Sequence, residues 1–227
     1  MTTTTTLAAA LWDFDGTLAN TEPLWLAAEF DLVGKLGGQW SMEHANELLG
    51  NSLLDSGSYI LNVIGRHDLS PAWVVDELVD RVIDAMTTGQ IAWQPGALEL
   101  LESFAAAGVP CALVSASYRI MLDAALSQLP RGIFAATVAG DEVQHGKPHP
   151  EPYETAAAAL RVDSRQCVVF EDSITGAKSG NAAGALVITV PSRVPVPSAP
   201  RRRHVDTLAG LEPAEITRWL EQANGSG

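Results

Sequence analysis

Cysteine is scarce in this sequence, with two in 227 residues, so a disulfide framework is excluded as the source of its stability. The pair, Cys111 and Cys167, falls inside two separate apolar runs, which suits a reduced, intracellular protein. Basic residues are also few. Fourteen Lys and Arg stand against 27 Asp and Glu, a formal charge of −13, which leaves no broad basic surface for nucleic acid or an anionic membrane. No apolar run approaches the roughly 18 residues of a membrane span. Met1 and the threonines Thr2 to Thr6 lack the positive start and apolar stretch of a secretory signal, so a cytoplasmic protein is expected. Cysteine–histidine clusters of zinc type are absent too. What is present is a globular balance, 47% hydrophobic and 18% charged residues, in a chain long enough for one large domain or two small ones.

Leu7 to Trp12 is a continuous apolar run ending in Asp13-Phe14-Asp15-Gly16-Thr17, the pattern of a buried strand and its loop. Four further runs, Pro110 to Val114, Ile133 to Ala139, Cys167 to Phe170 and Leu186 to Val190, are separated by helical segments. Ala97 to Ala107 places Leu98, Leu101 and Phe104 on one face between Gly96 and Gly108. Met121, Leu122, Ala125, Leu126 and Leu129 recur at helical spacing, and Tyr153 to Leu160 and Ile174 to Ala183 supply two more helices. This alternation predicts an α/β fold with a mostly parallel, Rossmann-like sheet covered on both faces. Between the first two strands lie nearly a hundred residues, helical in pattern from Pro23 to Met86. Ser70 and Pro71 start one helix, whose stripe is Val74, Val75, Leu78, Val79, Val82, Ile83 and Met86. The expected division is an α/β core of residues 1–19 and 91–227 with an inserted helical cap of residues 20–90, placed as a lid at the strand ends. Pro191 to Pro200 and the following Arg201, Arg202 and Arg203 read as a solvated loop.

Chemistry-bearing residues cluster at the ends of these runs. Two carboxylates two apart, Asp13 and Asp15, diverge on a regular strand but face one site where the chain bends, and Gly16 permits the bend. An Asp- and Gly-rich turn is an equally open reading. A calcium loop is not, because Gly16 is fourth and Leu24 twelfth where such a loop needs glycine sixth and glutamate twelfth. Ser115-Ala116-Ser117 is a hydroxyl-bearing turn into a helix, suited to a phosphate oxygen or to a plain N-cap. Lys147-Pro148-His149-Pro150 stiffens the chain around one lysine. Glu171-Asp172-Ser173 precedes a helix, where acidic residues often serve as caps.

Together the four elements, in this order, resemble the haloacid dehalogenase superfamily of phosphohydrolases over nearly the whole chain. The helical insertion resembles the cap of the subgroup containing beta-phosphoglucomutase and small sugar-phosphate phosphatases. The resemblance implies Mg²⁺ as cofactor and a small phosphate ester as substrate, with a monomer or weak homo-oligomer expected. It implies Asp13 as nucleophile forming an aspartyl-phosphate and binding the metal, and Asp15 as the acid and base, its carbonyl also reaching the metal. Asp172 becomes a metal ligand and Glu171 a direct or outer partner, while Lys147, Ser115 and Ala116 hold the phosphoryl group. Thr17 or Asn20 orients the loop. Attack on a phosphate dianion by a carboxylate otherwise meets about 4 kcal/mol of repulsion per charge pair at 4 Å, for an effective dielectric near 20.

Dehalogenases of the family lack the second aspartate of the first motif, so Asp15 points to phosphoryl transfer. The cap histidine and arginine of beta-phosphoglucomutase have no counterpart here, their places falling at Trp25 and, within Gly50-Asn51-Ser52-Leu53, near Leu53. Thr21-Glu22-Pro23-Leu24-Trp25 is similar to phosphatases acting on hexose phosphates such as 2-deoxyglucose 6-phosphate, and Glu22 is a candidate for a substrate hydroxyl. A phosphatase is therefore expected, with a mutase and a non-catalytic binding protein as alternatives. His44, His67 and His204 show no ligand spacing, and His145 and His149 read as solvated loop residues.

Overall fold

The computed structural model describes residues 7–48, 52–89, 91–192 and 194–225. The Thr2 to Thr6 run and the Gly50-Asn51 pair lie outside them. The chain forms two compact units, residues 1–20 with 92–227 and residues 21–91.

The first unit is built on six parallel strands in the order β3-β2-β1-β4-β5-β6. They are β1 (Ala9–Trp12), β2 (Cys111–Val114), β3 (Ala136–Val138), β4 (Cys167–Glu171), β5 (Leu186–Thr189) and β6 (Arg202–His204). Every residue of β1, β2, β4 and β5 is buried, as expected of a parallel sheet covered on both faces. From β1 the chain builds outward through β2 and β3, then returns to place β4 on the other side of β1, with Leu11 opposite Val169. The boundary between β1 and β4 is thus the switch point at which such sheets bind ligands.

Among the described residues this unit holds the α-helices α5 (Ala97–Ala106), α6 (Arg119–Leu126), α7 (Glu151–Ala159), α8 (Ile174–Ala182) and α9 (Pro213–Gly225). One sheet face buries Leu11, Val114 and Val169 among Tyr153, Ala156 and Ala157 of α7 and Ala177 of α8; the small alanines let those helices approach closely. The other stacks Trp12 on Phe170 at 4.2 Å, with Phe104 of α5 edge-on to Trp12 at 6.2 Å. Each such ring pair adds about 0.5–1.5 kcal/mol beyond its buried area. Cys111 and Cys167 are buried and unpaired, and burial pushes both thiols up to about 12, leaving them unreactive.

The second unit holds α1 (Glu22–Lys35), α2 (Met42–Glu47), α3 (Leu53–Ile64) and α4 (Pro71–Thr88). Ser41, Ser52 and Ser70 cap α2, α3 and α4, each hydroxyl accepting from a backbone N–H. The α4 stripe is buried apart from Ile83, which is half-buried. At the crossing of the chain between units, Asn20 N donates to Ala92 O at 2.7 Å and Gln94 N to Leu18 O at 3.0 Å. No described helix is long and apolar enough to cross a membrane.

Arg202 and Arg203, expected in a solvated loop, lie with His204 in strand β6, parallel to β5. Its charges suit an edge strand: Arg202 donates to Asn181 Oδ1, and the Arg203 guanidinium lies 4.4 Å from the Trp219 ring centre. Helix α9, which buries only Ile216 and Leu220, gave too narrow a stripe to be predicted. On α5 Leu100 is buried beside Leu101 and Phe104, while Leu98 is half-buried. The third strand starts at Ala136, not Ile133, and α6 ends before Leu129.

Candidate active site

Both candidate loops of the switch point begin where buried strands end. Asp13 follows β1 directly, its N–H donating to Phe170 O at 3.1 Å, so the β4 ladder continues into the loop. Gly16 then takes φ +89° and its carbonyl accepts from Gln94 Nε2 at 2.8 Å. A side chain at Gly16 would be strained, and its Cβ would collide with the carboxyl of Asp172. Thr17 is buried, and its hydroxyl has no hydrogen-bond partner.

Lys147 ties the site together. Its Nζ donates to Asp13 Oδ1 at 2.6 Å, Glu171 Oε1 at 2.6 Å and Val114 O at 3.0 Å, so it touches the ends of β1, β2 and β4 at once. Burial opposes its charge, yet Asp13 and Glu171 outweigh burial and the net shift of the ammonium is upward. Glu171 is the last residue of β4 and fully buried. Its Oε1 also accepts from Tyr153 Oη at 2.7 Å, and its Oε2 accepts from Ser173 Oγ at 2.9 Å and from the N–H groups of Asp172 and Ser173. Five donors on one carboxylate hold Glu171, and through it Lys147, in a single position.

Asp15 is gripped from β2: its Oδ2 accepts from Ser117 Oγ at 2.7 Å and Ser115 Oγ at 3.3 Å. Neither serine caps the next helix, because the residue at that N-cap is Tyr118, with no side-chain cap bond. Ser115 Oγ accepts from Ser117 N at 2.9 Å instead. Ala116 is exposed between them. Likewise the cap of α8 is Ser173, not an acid. Glu22 is the first residue of α1 in the helical unit.

Carboxylate oxygens of Asp13, Glu171 and Asp172 lie within 4.8 Å of one another. Burial, with Glu171 and Asp172 adding to it and Lys147 opposing, drives the Asp13 pKa well above its usual range. Burial, then Glu171 and Asp15 against Lys147, pushes Asp172 up to about 7. One lysine therefore leaves an excess of negative charge. Hard oxygen donors with uncompensated charge fit Mg²⁺, which takes few carboxylates and keeps the rest of its shell for water and substrate phosphate.

Tyr153 and Ser117 went unnamed as site residues in the sequence. The only signal for Tyr153 was a polar atom in an apolar helix stripe, and Ser117 was hidden behind Ser115. The first turn of α8 packs so closely on Glu171 that a Cβ at Gly176 would overlap its carboxyl. Gly176→Ala is expected to cost about 1–3 kcal/mol through overpacking and to lower activity by displacing Glu171 and Lys147. Thermal unfolding together with an activity assay checks both; an unchanged protein would contradict the packing argument.

Residues 10–190 match the family model of the haloacid dehalogenase-like hydrolases. The chain belongs to that family, and within it to the phosphoric monoester hydrolases. It is 33% identical to Protein CbbY of Rhodobacter capsulatus over 82% of this chain and 86% of the relative. It is 32% identical to Hexitol phosphatase B of Escherichia coli over 85% and 87%. It spans about half, 52%, of the Bifunctional riboflavin kinase/FMN phosphatase of Arabidopsis thaliana, at 31% identity over 89% of its own length. Among solved structures, CbbY from Rhodobacter sphaeroides in complex with phosphate superposes with a TM-score of 0.78 at 29% identity, covering 90% of this chain and 96% of that one.

Proposed function

We propose that the protein hydrolyses a small phosphomonoester of the sugar-phosphate class through an aspartyl-phosphate on Asp13, with Mg²⁺ as cofactor. The observation that carries this reading is the placement of Asp13 at the end of β1, 2.6 Å from a buried lysine that Glu171 holds in place. The nucleophile's oxygen attacks phosphorus as the bond to the leaving oxygen breaks, and Asp15 in its acid form gives that oxygen its proton. Water then attacks the phosphorus of the acyl phosphate, passing its proton to Asp15. Asp13 returns as carboxylate and inorganic phosphate leaves. Lys147 lowers the repulsion of the approaching dianion, and Ser115 with the Ala116 backbone orients its oxygens.

Asp13, Asp172 and the main chain of Asp15 are the groups proposed to hold Mg²⁺, with Glu171 serving Lys147. The ion supplies charge neutralisation at the transferring phosphoryl group. Residues 20–90 are proposed as the substrate-choosing cap, with Glu22 as a hydroxyl-binding residue. The buried, unpaired thiols suit a reducing compartment such as the cytoplasm, and a monomer or weak homo-oligomer is proposed.

The relatives' names support hydrolysis over isomerisation: Hexitol phosphatase B and Fructose-1-phosphate phosphatase YqaB are named for phosphate release. A CbbY mutant was solved with xylulose-(1,5)bisphosphate. The test is phosphate release from hexose, pentose and hexitol phosphates with Mg²⁺ and after its removal by chelator. Turnover that needs Mg²⁺ is expected. Conversion of beta-glucose 1-phosphate mainly to its 6-phosphate isomer would overturn the phosphatase reading, and no turnover of any ester would favour a binding protein.

A further inference from the structure

The loop that delivers Lys147 carries a second set of metal-ligating groups. In His145-Gly146-Lys147-Pro148-His149-Pro150-Glu151 the side chains of His145, His149 and Glu151 converge, each offering a ligand atom within 4.8 Å of the others. His145 Nδ1 lies 2.9 Å and His149 Nδ1 3.9 Å from Glu151 Oε2; His149 Nδ1 also accepts from Glu151 N at 3.2 Å, a bond that ligation through this atom would replace. Tetrahedral ligands at Zn–N and Zn–O distances of about 2.0–2.1 Å sit about 3.4 Å apart, and the two separations straddle that value. The imidazole centroids are 4.7 Å apart, close enough for one ion to bridge their edges.

The cluster is built rather than incidental. Glu151 Oε1 accepts from Gln144 N at 2.7 Å and Oε2 from His145 N at 3.0 Å. The His149 carbonyl accepts from Ser179 Oγ of α8 at 2.6 Å, anchoring the loop to the core. Both histidines remain open to solvent, at 62% and 49% side-chain exposure, leaving room for water in the remaining position.

We propose that His145, His149 and Glu151 form a site for a borderline transition-metal dication of the Zn²⁺ class, separate from the carboxylate site. Two imidazoles and one carboxylate select such ions, whereas Mg²⁺ prefers all-oxygen surroundings. The inference does not depend on which ester the enzyme cleaves.

The test is Zn²⁺ binding to tag-free protein, measured by competition with a chromophoric chelator in excess Mg²⁺, with Co²⁺ absorption spectra as a second readout. One equivalent is expected in wild type and in Asp172→Asn. His145→Ala and His149→Ala should each weaken binding by at least about tenfold and lose the Co²⁺ spectrum, while Mg²⁺-dependent turnover in Zn²⁺-free buffer stays unchanged. His145→Gln, which keeps a polar side chain, should behave as His145→Ala. Unchanged affinity in the histidine variants, or binding lost only in Asp172→Asn, would overturn the proposal.

Discussion

Asp13→Asn is expected to lower kcat for phosphate release by about 10³-fold or more, while leaving the metal-free protein at least as stable as wild type at pH 8. The loss follows from the proposed role: an amide oxygen is not a nucleophile toward phosphorus. The gain follows from electrostatics. Burial first, then Glu171 and Asp172, raise the Asp13 pKa more than Lys147 lowers it. A carboxyl with a raised folded pKa favours the native state in acid, and that benefit is lost as pH rises from the ordinary value of 3.8 through the raised one. Asn carries no such charge and still accepts from Lys147. Relative to wild type, the variant should therefore gain stability between pH 5 and pH 8. A gain of order 1 kcal/mol corresponds to roughly 2–4 °C in Tm for a chain of this size. Thermal unfolding in chelator at both pH values and a phosphate assay decide the matter. Retained turnover would remove Asp13 as nucleophile, and a lower Tm at pH 8 would contradict the charge-excess account.

The four buried strands β1, β2, β4 and β5 and the helical insertion were legible because burial on both faces leaves continuous apolar runs, and capped helices leave starts such as Ser70-Pro71 and stripes such as Val74 to Met86. Strand β6 was not, since an edge strand of Arg202, Arg203 and His204 satisfies its side chains by hydrogen bonding and stacking rather than by apolar burial. In the site, Asp13, Asp15, Ser115, Glu171 and Asp172 stood out as polar groups at or just after strand ends, and Lys147 as a lone lysine in a proline-stiffened turn. Their division of labour did not. That Glu171 accepts five bonds while Ser115 and Ser117 grip Asp15 depends on register between strands far apart in sequence, such as Leu11 opposite both Ala112 and Val169. Tyr153 reads as one more apolar helix residue until the sheet brings its hydroxyl to Glu171.

Lys147→Met is expected to be the more damaging change, because it removes activity and stability together. Methionine nearly matches the volume, so packing is retained and the missing quantity is charge. In wild type one ammonium, with 6% of its side chain exposed, is shared between Asp13 and Glu171 at 2.6 Å each. Breaking a buried pair from one side costs about 3–5 kcal/mol, since the partner is left charged and dry. Here two partners are left, and Glu171 is sealed from solvent among Tyr153, Ser173 and the start of α8. Lys147 is also the group that holds the raised pKa of Asp13 down, so in the variant that carboxyl titrates higher still. The native state then prefers the protonated acid, and the deficit relative to wild type should be smallest near pH 5 and grow toward pH 8. This is the direction opposite to that of Asp13→Asn. Mg²⁺ should recover part of the lost stability by returning positive charge to Asp13 and Asp172, but not the turnover, because the phosphoryl oxygens still lack their lysine. Unfolding of Lys147→Met across this pH range, with and without Mg²⁺, checks the argument. A deficit independent of pH would show that the lysine acts through packing rather than as the counter-charge of the site.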